Sequence, residues 1–105
     1  MSRKRRTRGH AAAYPALTQF ARAYLHEDFL HEYGGPLEAA RAFRADANPA
    51  ECRALADELT QLVSASSGWS PAKLAAFMTG PIGGAWATAS PSVLREMAAI
   101  LAPAS

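Results

Sequence analysis

A chain of 105 residues has room for one hydrophobic core and not for two, and its single cysteine, Cys52, excludes an internal disulfide and fits a reducing compartment, most simply the cytoplasm. No apolar run approaches the ~20 residues that cross a bilayer, and the stretch after the basic start is too short, too polar and too broken by Pro15 to be the core of an export signal. The formal charge of +2 conceals two parts: five of eleven basic residues fall in the first eight positions, which leaves six against nine acidic residues and a body of −3 over residues 9–105.

Residues 1–12 have no apolar periodicity and a dense run of like charge, so they are expected to form a disordered basic tail ahead of a domain spanning 13–105. Arg3, Lys4, Arg5, Arg6 and Arg8 are the groups in it that would displace counterions from nucleic acid, although no aromatic residue stands among them to stack on a base. The first helix is expected from about residue 15 to residue 31, with Pro15 in the first turn. Leu17, Phe20, Ala21 and Tyr24 form its apolar stripe, Leu25 and Phe29 widen it, and Gly34 and Gly35 stop it. A shorter helix follows Pro36 with Leu37, Ala40 and Phe43 on one side and Glu38, Arg41 and Arg44 on the other.

Asn48, Pro49 and Glu51 spell a capping box that opens a third helix, with Cys52, Leu55, Leu59 and Leu62 as its buried stripe and the serine-rich residues 64–68 as its end. Ser70-Pro71 and Ser90-Pro91 open the fourth and fifth helices, which present Leu74, Phe77 and Met78, and Val93, Leu94, Met97, Ile100 and Leu101. Residues 80–84 hold too much Gly and Pro for helix or strand and read as a connector. Trp86 after it is either a core anchor or an exposed contact. No segment alternates with β-branched enrichment, so the predicted class is all-α: a single-domain bundle of about five short helices. Its alanine content predicts thin, closely packed helices rather than a bulky core.

Several letter patterns mimic chemistry. His26 and His31 stand i, i+5, about 140° apart on a helix, whereas zinc-binding helices place two His at i, i+4 on one face. Ser70-Pro71-Ala72-Lys73 fits S-x-x-K by letter but lacks the companion motifs of that chemistry, and Ser70 is better used as a cap. Cys52 lies on a buried stripe, where a thiol is a small core residue rather than an activated nucleophile. No catalytic set is expected, and no cofactor or metal.

Three stretches carry a resemblance. Tyr14-Pro15-Ala16-Leu17 looks like an aromatic-Pro-x-Leu opening, and Tyr24-Leu25-His26-Glu27-Asp28-Phe29 is an aromatic pair flanking His, an acid and Asp. Residues 43–63, with Glu58-Leu59 before Leu62, form the helix that follows. Together, over residues 14–66, they resemble the small helical immunity proteins of bacterial contact-dependent growth inhibition systems. The later part of the chain departs from that pattern, with residues 80–86 and Glu96-Met97 where the family has a Gly-Tyr-Pro turn and a Trp-Leu.

The resemblance implies a non-enzymatic cytoplasmic protein that binds the toxic domain of a delivered effector and blocks its active site. Some such toxins cleave RNA. A nuclease carries basic groups for phosphate, which carboxylates on an inhibitor would cover. The expected contact residues are therefore the acids Glu27, Asp28, Glu32 and Glu38 with His26, and the aromatic anchors Tyr24, Tyr33 and Trp86. His26, Asp28 and Phe29 have an alternative role in closing the first helix onto the core. The competing functional class is a small nucleic-acid-associated protein acting through the basic tail.

Overall fold

The structure, a computed structural model, describes residues 11–26, 32–86 and 89–102. Glu27, Asp28, Phe29, His31 and the tail residues Arg3, Lys4, Arg5, Arg6 and Arg8 lie outside the described residues. Among those described there are five α-helices and no strand. A short 3-10 turn at Ala11–Ala13 leads into α1 (Pro15–Tyr24), followed by α2 (Pro36–Asp46), α3 (Pro49–Ala65), α4 (Pro71–Thr79) and α5 (Pro91–Leu101). Each helix opens on a proline, whose missing N–H is no loss in the first turn.

The capping box of α3 forms as its spelling predicts. The Asn48 side chain accepts from the Glu51 N–H at 2.8 Å, and Glu51 accepts from the Asn48 N–H at 3.1 Å. Ser70 and Ser90 accept from the N–H groups of Lys73 and Val93. Helix α3 is the longest, about 25 Å at 1.5 Å per residue, and the bundle forms round it. Helix α5 lies against both α3 and α2, while α1 crosses α3 and α2. The core interleaves Leu17, Phe20 and Leu25 with Leu55, Leu59 and Leu62 of α3, Leu74 and Met78 of α4, and Leu94, Met97 and Leu101 of α5. Cys52 is buried among them, on the stripe where the spacing puts it.

Two details depart from the sequence-based reading. In α2 the fully buried residues are Ala39 and Ala40, while Leu37 and Phe43 are half-buried. Paired alanines let this helix approach its neighbours closely, and that turns its larger side chains toward the rim.

Helix α1 ends at Tyr24 and does not run to residue 31. The Leu25 N–H still closes the last turn on the Ala21 carbonyl, but the Leu25 carbonyl accepts from the Ala85 N–H at 2.6 Å, a partner 60 positions away. That carbonyl is the one a continuing helix would have used four residues on. The connector therefore docks on the end of α1, and Gly84 permits it: a Cβ there would stand 3.2 Å from the Ala21 Cβ. Gly34, at φ +98°, makes the left-handed turn ahead of α2.

Candidate functional site: an aromatic and acidic surface where helices α1 and α2 meet

Tyr24, the last residue of α1, stands at the centre of an aromatic group. Its ring stacks on Phe20 and on Tyr33, each with centroids 5.5 Å apart, and meets Phe43 edge-on at the same distance. Phe20 and Phe43 complete the group edge to face at 5.4 Å. Such pairs add about 0.5–1.5 kcal/mol beyond the area they bury, so this corner holds its shape while remaining half open to solvent.

Two carboxylates, Asp46 and Glu32, border it. The Tyr24 hydroxyl donates to Asp46 Oδ2 at 2.7 Å, which pushes the phenol up to about 12, with burial and the Asp46 charge acting in the same direction. The Tyr33 phenol is also raised, by burial first and then by the charges of Glu32 and Asp46. His26 Nε2 lies 2.6 Å from Glu32 Oε1, with more than half of the Glu32 side chain exposed. Glu38 pairs with Arg41 at 3.5 Å on the first turn of α2, where an acid also suits the helix dipole.

Of the residues expected to contact a partner, Tyr24, His26, Glu32 and Tyr33 therefore come together, with Glu38 exposed at the start of α2. Trp86 does not join them. At 3% exposure it is a core residue, so its role as a surface anchor is corrected: the connector that docks on α1 carries its indole inward.

Sequence reasoning missed two acids. Asp46 closes the α2 helix at its C-terminal end, where a negative charge opposes the dipole, and that misfit was the available signal for a tertiary partner. Glu58 is the second. Its carboxylate accepts from the Ala16 and Leu17 N–H groups at 3.1 and 2.8 Å, capping α1 from across the bundle. Tyr14 supplies no side-chain cap of its own, so an opening without Ser, Thr, Asp or Asn was the clue.

Beside the aromatic group a cleft of about 410 Å³ opens between α1, the Phe43 side of α2 and α3. Ala16, Gln19, Ala23 and Ala54 line it along with Tyr24, Phe43 and Glu51. It continues past Ala16, Gln19 and Ala54 into a shallower depression that ends at Glu58. Among the described residues no group of three or more His, Cys, Asp and Glu is placed to hold a metal ion, and no helix is long and apolar enough to cross a membrane. What this surface offers chemically is recognition: a fixed aromatic patch, acceptor oxygens and a cleft with Phe20 at its base and small side chains at its sides.

No curated protein and no solved structure gives a significant match to the chain. A family model described as CdiI immunity protein matches residues 13–78, from the turn before α1 to the end of the buried face of α4, and so takes in all of the surface just described. A match over that much of the sequence shows that the chain belongs to the CdiI immunity protein family.

Proposed function

We propose that this chain neutralises its cognate toxin domain without chemistry of its own, by lying across the toxin's active site. The observation that carries the proposal is the position of the Tyr24 group within the family span: an aromatic centre with Asp46 and Glu32 about it, and Glu38 exposed at the start of α2. Desolvated aromatic anchors inside a polar rim are what tight protein interfaces use, and a carboxylate rim suits a partner whose own site is basic. A phosphate-handling toxin, a nuclease above all, has such a site. Neutralisation would take place in the cytoplasm, where an incoming toxin would act.

The test is protection. Cells producing the toxin domain of a contact-dependent growth inhibition effector that is cognate to this chain should stop growing, and co-production of this chain should restore growth. The purified pair should also co-elute. Growth arrest that persists despite soluble chain, or separate elution at micromolar concentrations, would refute the proposal.

A further inference from the structure

We infer that the cleft between α1 and α3 receives a toxin segment carrying an arginine or lysine set among small or apolar residues. The inference rests on the reading of this chain as a toxin-binding immunity protein and names the second surface that the toxin would use. Three features of the cleft converge on that occupant.

Its sides are small: Ala16, Ala23 and Ala54 project no bulk around the buried Phe20 ring, so another backbone can approach the two helices closely. Its volume of about 410 Å³ falls in the range of roughly 300–1,000 Å³ typical of binding clefts, room for side chains rather than for a domain. Its charge has one sign. Glu51 lines it, Asp46 borders it through the Tyr24 hydroxyl and Glu58 stands at the far end, while no basic side chain is among its described lining residues.

Glu51 is exposed and bonded through only one oxygen to the Asn48 N–H, which leaves Oε2 for a cation. A long aliphatic stem with a charged head suits this geometry, the stem over the alanines and the head at the carboxylate. Arg44 donates to the Ile100 carbonyl at 3.1 Å, Arg41 pairs with Glu38, and Arg22 packs over Gly83, while Arg53, beside Ala54 in sequence, is exposed and not among the lining residues.

The experiment measures affinity of the full chain for the purified toxin domain against which it protects in the growth test above, inactivated in its active site, by calorimetry at two salt concentrations. Ala54 is exposed on a helix surface, so Ala54→Arg and Ala54→Glu should both fold with unchanged melting temperature. Glu51→Gln should also fold, because glutamine serves equally in a capping box. Ala54→Arg is expected to weaken binding at least about 30-fold, the loss a hot-spot change produces, and Ala54→Glu by no more than about threefold. Glu51→Gln is expected to cost about fivefold and to flatten the salt dependence.

Wild-type affinity in Ala54→Arg would overturn the groove. Equal losses in Ala54→Arg and Ala54→Glu would overturn the cationic occupant, as would dimerisation of the chain through Ala54 with toxin affinity unaffected. If the wild-type chain fails to bind, both this inference and the toxin-binding reading fall; if only the groove variants behave like wild type, the groove alone does.

Discussion

Replacing Glu58 with alanine isolates the contact that holds α1, and with it Tyr24, in place. Two backbone N–H groups at 2.8 and 3.1 Å lose a charged acceptor. Hydrogen bonds to a charged group are worth about 1.5–3 kcal/mol each, but the site is only partly buried and water will recover a share. Loss of an ordinary N-cap costs typically about 1 kcal/mol and up to about 2. With the attraction between a carboxylate and a helix N-terminus included, the net cost is about 2 kcal/mol. A domain of this size loses roughly 4–8 °C per kcal/mol, so Glu58→Ala is expected to melt ~10 °C below wild type.

Glu58→Gln keeps one acceptor oxygen without the charge and should fall about halfway. Thermal unfolding followed by circular dichroism at 222 nm reads both. A drop under about 2 °C for Glu58→Ala would refute the cross-bundle cap. Equal drops for the two variants would show that one neutral acceptor contributes nothing.

The Tyr24 phenol, held up to about 12 by Asp46, is protonated in the folded chain at a pH where an unfolded tyrosine has ionised. Its contribution to stability is therefore complete below pH ~10 and disappears as pH rises from there through about 12. Absorbance at 295 nm should show Asp46→Ala moving one tyrosine back toward pH 10, and an unchanged titration would refute the bond. Gly84→Ala should cost ~1–3 kcal/mol, because its methyl would meet the Ala21 Cβ at 3.2 Å. Gly68→Ala, with open space around it, should be neutral or gain up to ~1 kcal/mol, and denaturant melts separate the two. Glu32→Lys and Glu38→Lys together should weaken toxin affinity about tenfold at low salt and less at high salt, and salt-independent wild-type affinity would remove these acids from the interface.

What was legible in the sequence was local. Asn48-Pro49 with Glu51, Ser70-Pro71 and Ser90-Pro91 each start a helix with atoms no more than three residues away, so spelling alone places these starts. The buried stripe of α3 follows from its spacing for the same reason. The gathering of Tyr24, His26, Glu32 and Tyr33 was half legible, since Gly34 announces the turn that brings α2 alongside.

What escaped depends on partners distant in the chain. The end of α1 is decided by Ala85, the cap over its Pro15 start by Glu58, and the phenol of Tyr24 by Asp46. The spelling leaves Trp86 open between core anchor and exposed contact, because the Gly and Pro before it resemble any surface turn. Gly84 is there instead so that the loop can lie flat on Ala21, and the indole follows it inward.

Occlusion is tested most directly by titrating the active toxin domain with this chain while following cleavage of the toxin's substrate. The account predicts that activity falls in a straight line and reaches zero at one equivalent, with Glu32→Lys/Glu38→Lys needing an excess. Activity persisting when the complex is fully formed, or protection far below one equivalent through destruction of the toxin, would contradict it.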